Sequence, residues 1–188
     1  MNKFPIIVGG GLLGGAVLFV WGAVSWMVLS WHKPTVHQFK YEVAVEQALV
    51  ANTNPHGKAV YLLPASHHSG AKGEKALAQD KTQKKPFAFV VFNPSGYRRM
   101  KLNLILAFLV QTIGAMFVTW LLLQVGKANY LQKVSFIVAF AIAAGIVCYI
   151  PNWVWWGFPR DFTLVSVADL VIGWFLAGLV IARITKTK

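Results

Sequence analysis

The chain has 188 residues, 56% of them apolar and only 13% charged, with a mean hydropathy of +0.55. Soluble domains carry about a quarter charged residues, so this composition excludes a single water-solvated core and points to solvation by lipid. Eighteen Lys and Arg against six Asp and Glu give a formal charge of +12. In so apolar a chain, cations belong at span ends facing anionic headgroups, and nucleic acid is not an expected partner.

The first element is the run from Phe4 to Trp31, which holds no charged residue between Lys3 and His32. At ~1.5 Å per residue it is long enough to cross ~30 Å of hydrocarbon. The start Met-Asn-Lys resembles a secretion signal, but the run is too long and lacks a small-x-small site before His32, which predicts an uncleaved anchor over 1–31. Gly11, Gly15, Gly22 and Ser25 fall on one helical face with Gly10 and Gly14 beside them, a pattern that lets another helix approach closely.

Residues 32–100 form the one stretch with aqueous character, predicted as an extramembrane insert. Tyr41, Val45, Ala48 and Leu49 recur at helical spacing and predict a short helix ending near Asn52. Ala59–Leu63 and Phe87–Phe92 read as two strands, each closed by a proline turn. The polar segment 65–86 between them has the composition of a mobile loop, or of one ordered only by a partner. One helix and two strands bury too little to stand alone, so this insert is expected to lean on the membrane or another protein.

Three further spans are predicted at Leu102–Val125, Val134–Ile150 and Phe162–Ala182, with brief connections at Gly126–Lys133 and Pro151–Asp161. Residues 101–188 therefore read as a compact three-helix unit that the first helix joins from a distance. The fold class is that of a mainly α-helical membrane protein with four transmembrane helices and a small α+β insert between helices 1 and 2. Small or polar stripes recur on these spans. Ala107, Gln111, Ala115 and Thr119 lie beside Gly114; Ala141 and Ala144 lie beside Gly145; Ser166, Asp169, Gly173 and Ala177 line the last. Lipid offers polar groups nothing, so such stripes should face other helices.

Asp169 is the sharpest candidate for chemistry. It lies roughly 10 Å, or about seven helical rises, below the Trp153-Trp155-Trp156 belt, at a depth where an unpaired carboxylate costs several kcal/mol. Its reachable partners are Tyr149, Ser25 or the indole of Trp26, Ser166 on its own helix, and Arg160 from the loop. Two roles remain open for it: a proton or cation site, or a hydrogen-bonded acid that fixes helix packing. Arg160-Asp161 reads chiefly as helix punctuation, with a bound-lipid or substrate role as the other option for Arg160.

Other chemistry finds little support. His32 and His37 are five apart, His67 and His68 adjacent and His56 isolated, which is not the spacing of a metal pair; all five histidines read as extramembrane, so neither a metal nor another cofactor is expected. No nucleophile elbow, zinc-protease motif or phosphate loop is present in the sequence, and Cys148 among Ala, Ile and Val reads as a small hydrophobe.

The pattern looks like many bacterial inner-membrane proteins. Lys3, Lys127, Lys133, Arg183, Lys186 and Lys188 occupy short segments on one side without an acid, which predicts cytoplasmic termini and a periplasmic insert 32–100; Arg98-Arg99-Met100-Lys101 pulls the other way. Functionally, the sequence supports a non-catalytic accessory or assembly subunit whose partners are lipid and other membrane subunits. The alternative is a small homo-oligomeric transporter or channel using Asp169.

Overall fold

A computed structural model of the chain describes residues 3–54, 57–64, 86–97 and 99–185. The chain divides into a membrane unit, Met1–His37 with Arg99–Lys188, and a smaller unit, Gln38–Arg98. The membrane unit holds four helices long and apolar enough to cross a bilayer: Phe4–Val28, Met100–Leu122, Tyr130–Trp156 and Arg160–Ile184. This is an integral membrane protein, mainly α-helical, with a small two-stranded element between the first and second spans.

The span limits follow local chemistry. The first helix starts at Phe4 with Pro5 in its opening turn and runs regularly to Ala23. It then widens into a π-turn over Val24–Val28 and stops at the extended residue Leu29, three residues short of the expected Trp31. The third span is longer than its apolar core predicted. Its start is fixed by a reciprocal capping box between Asn129 and Gln132, and it continues through Pro151 to Trp156, where Gly157 closes it in the left-handed region at φ 66°. The expected loop Pro151–Asp161 is thus largely helical. A proline removes one N–H and crowds one carbonyl, and membrane helices tolerate this because neighbouring groups take up the loss. The fourth span begins at Arg160, with Asp161 in its first turn and Arg183 in its last, each sign matched to the helix dipole.

The packing order differs from the sequence order. The first span lies between the second and the fourth, the third packs on the fourth, and the second and third barely touch. The expected three-helix unit 101–188, with the first helix at a distance, is therefore corrected: the first helix is the centre. Its glycines explain why. A Cβ at Gly15 would stand 2.6 Å from the Cα of Thr112, one at Gly11 2.1 Å from the Met116 side chain, and one at Gly14 2.7 Å from Ile181, so the first helix meets two neighbours nearly backbone to side chain. Leu18, Ala115, Val118, Leu122, Ile137, Ala177 and Ile181 form the dry core, with Val17 and Trp174 packed against it.

One end of the bundle is tied by cations and a phenol. Lys3 Nζ donates to the Leu123 carbonyl at 3.3 Å, Tyr130 Oη donates to the Leu179 carbonyl at 3.1 Å, and the buried Lys133 ammonium caps the helix end at the Thr185 carbonyl. These contacts gather the start of the first span, the turn after the second and the end of the fourth at the same end.

The smaller unit contains the helix Glu42–Asn52 and an antiparallel pair, β1 (Ala59–Leu63) with β2 (Ala88–Phe92), in register Ala59 to Phe92 and Leu63 to Ala88. The Asn54 backbone N–H donates to Tyr61 Oη at 2.9 Å. Most of the segment 65–86, expected as a mobile loop, lies outside the described residues, as do His56, His67 and His68.

Candidate functional site

The site is built at the opposite end of the bundle, where the first span closes against the fourth. Gly173, one turn beyond Asp169, clears the space. A Cβ there would stand 2.8 Å from Cδ1 of Trp21, so only hydrogen lets this indole lie flush on the fourth helix. From that position Trp21 Nε1 donates to Asp169 Oδ1 at 2.8 Å and to the Asp169 carbonyl at 3.1 Å. The π-turn then points Ser25 inward, fully buried, while Trp26, Met27 and Val28 remain exposed.

After Leu29 the chain folds back on itself. A 3-10 turn at Lys33–Thr35, fastened by Thr35 Oγ1 donating to the His32 carbonyl at 2.8 Å, returns the imidazole to the helix end. His32 is only 4% exposed. Its ring stacks on Trp26 at 3.9 Å and 10°, and Trp31 meets it edge-on at 5.6 Å. Its Nε2 lies 3.0 Å from Ser25 Oγ and 3.7 Å from Asp169 Oδ2. Trp31 Nε1 donates to Ser25 Oγ at 3.0 Å.

The nearby carboxyl favours one tautomer of His32. Nε2 faces two oxygens, one of them on a carboxyl, and a lone pair aimed between them would meet only repulsion from Asp169. An N–H at Nε2 can donate to Ser25 Oγ at 3.0 Å while its positive end faces the carboxyl at 3.7 Å, too far for a hydrogen bond. Asp169 is then held on both sides: the indole N–H of Trp21 covers Oδ1 and the imidazole N–H faces Oδ2. Trp26 supplies an aromatic face that also tolerates a cationic ring. The arrangement can hold a proton and lock a backbone return. Among the described residues, no three of His, Cys, Asp and Glu converge as a metal ligand set.

The structure sorts the residues named from sequence. Ser25 belongs to the cluster but reaches Asp169 only through His32. Trp26 belongs to it as a stacking surface for His32 and not as a donor to the acid. Ser166 donates to the Phe162 carbonyl of its own helix at 2.8 Å, and the Arg160 guanidinium lies over the Trp153 ring at 5.6 Å, so neither pairs with Asp169. No hydrogen bond joins Tyr149 to Asp169. Gly11, Gly15 and Gly173 are close-approach sites, and Gly145 meets Val167 at 3.1 Å; Gly114 has only the far edge of Trp174 at 3.8 Å, and Gly22 has no neighbour within 4 Å of its Cβ position.

Two members escaped sequence reading. The sequence places His32 among the extramembrane residues, and it points to the indole of Trp26, not that of Trp21, as the donor to Asp169. The signal that could have found both is Ser25 on the glycine face, with Trp21 one turn before it and a Lys33-Pro34-Thr35 turn just beyond His32. Comparison of the chain with protein-family models, with curated proteins and with solved structures gives no match.

Proposed function

We propose that this protein is a non-catalytic accessory or assembly subunit of a larger membrane protein complex. The observation that carries the reading is the exposed apolar surface of the smaller unit. Its helix Glu42–Asn52 buries no residue, and Val43 is 67% exposed, Val91 70% and Val60 55%. A water-facing module that leaves such side chains uncovered is better explained by a neighbouring protein than by solitude. A bacterial inner membrane, cytoplasmic termini and a periplasmic insert complete the proposal, on the distribution of basic residues among short segments.

The test is extraction of the tagged full-length chain in mild detergent. A subunit migrates with heterologous proteins, and deletion of Ser66–Lys84 leaves membrane insertion intact while weakening that association. A stable homo-oligomer without co-purifying protein, giving Asp169-dependent ion or solute flux in vesicles, would replace this reading with a small transporter or channel. That second reading rests on the His32–Asp169 contact, since an imidazole facing a carboxyl within a membrane bundle is a place where a proton can reside.

A further inference from the structure

The belt-side ends of the third and fourth spans enclose a groove of about 380 Å³ lined by Ile150, Trp153, Arg160, Thr163 and Leu164. We propose that this groove is a binding site for an anionic phospholipid, with the phosphate on Arg160 and an acyl chain along Ile150 and Leu164. Three independent features support the assignment. First, Arg160 is a permanent cation, and among the described residues no carboxylate lies within ion-pair distance of it. Its recorded contact is the face of Trp153 at 5.6 Å, which orients the guanidinium while leaving its N–H fork free for a bidentate acceptor.

Second, the groove pairs this one charge with an otherwise apolar lining. The Thr163 hydroxyl is used on the Pro159 carbonyl at 3.0 Å, and Leu164 is 66% exposed toward the surrounding medium. An inorganic anion has no use for such walls, whereas an amphiphile with a charged head and an apolar tail matches both parts. Third, the depth is right. Arg160 opens the fourth span and Trp153 lies in the last turn of the third, so the head position coincides with the headgroup layer and the tail position with hydrocarbon. Asp161, the neighbouring acid, does not line the groove. No side chain caps the first turn beginning at Arg160, so its backbone N–H groups add to the positive field there.

The experiment uses the full chain in detergent, with lipid retention read by native mass spectrometry for phosphatidylglycerol and phosphatidylcholine of equal chain length. Phosphatidylglycerol should be retained preferentially, and Arg160→Gln should reduce that preference about fivefold, the ratio expected for one interfacial cation. Ile150→Trp, which fills the groove while leaving Arg160 in place, should lower retention of both lipids. Circular dichroism on each variant confirms that the helices persist. Equal retention of the two lipids by the unaltered chain, an unchanged preference in Arg160→Gln, or displacement of phosphatidylglycerol by millimolar inorganic phosphate would each overturn the proposal; the last would make this a small-anion site.

Discussion

Trp21 and Asp169, 148 positions apart in the chain, are joined by an indole hydrogen bond of 2.8 Å across the interface of the first and fourth spans. The bond gives the part-buried Asp169 Oδ1 a donor from the facing helix, and it ties the rotation of the first helix to the fourth. Trp21→Phe keeps the ring's bulk and removes the donor. The expected outcome is a loss of about 0.6–2 kcal/mol in stability, the range for hydrogen bonds between membrane helices. Thermal unfolding in detergent measures it, and in Asp169→Ala the same substitution should cost distinctly less.

Asp169→Asn should leave the fold intact, because the amide oxygen can still accept from Trp21. Its NH2 group then faces His32, so Nε2 can no longer present a proton there and must accept instead. The imidazole proton is expected to move from Nε2 to Nδ1. Nitrogen-15 spectra of histidine-labelled protein, with His32→Gln to identify the resonance, distinguish the two tautomers. An unchanged spectrum would refute the proton assignment.

Gly15→Ala places a methyl group 2.6 Å from the Thr112 Cα, and backbone cannot move aside as a flexible side chain can. The first and second spans must separate, at a cost of about 1–3 kcal/mol. Gly22→Ala, with no neighbour within 4 Å, is the matched control and should be near neutral. Both are read from unfolding midpoints in the same detergent.

Gly173→Ala should act on the site by crowding the Trp21 indole while leaving Asp169 itself unaltered. The added methyl lies 2.8 Å from Trp21 Cδ1 and displaces the indole from Asp169. In a Trp21→Phe background its cost should shrink by the worth of the lost hydrogen bond, while the steric part against the ring and Leu18 remains. Additive losses in the double variant would show that the two residues are not coupled.

Orientation is checked with Cys148→Ser carrying Gly57→Cys, an exposed position in the smaller unit. A periplasmic insert is labelled by an impermeant thiol reagent in intact spheroplasts. Protection there, with labelling only after lysis, would reverse the proposed topology.

What the sequence made legible was what hydropathy and small-residue spacing encode. The four spans follow from apolar runs bounded by Lys3, Lys101, Lys127, Lys133 and Arg183, and β1 and β2 from short apolar stretches ended by prolines. The role of Gly173 beside Asp169 also lies on a visible stripe. Helix neighbours were not legible, because glycine faces state that a helix is approached and not by which partner. The continuation through Pro151 was missed because proline's local rule, written for water, is relaxed where a bundle and lipid surround the helix. His32 was missed because its burial depends on a chain reversal after Leu29, and no period in the sequence encodes a reversal.

The central place of the first span has a consequence for biogenesis. Synthesis runs from the N-terminus, so this helix is made before the other three described spans, yet one of its two main neighbours is made after them. Until residues 160–184 have left the ribosome, the Trp21 indole N–H lacks the Asp169 acceptor it meets in the finished bundle, whereas Ser25, Trp31 and His32 can already bond one another. A chain halted before the fourth span should therefore keep its anchor in the membrane and still expose an unsatisfied polar edge, a mark by which quality-control proteases could tell an unfinished copy from a complete one.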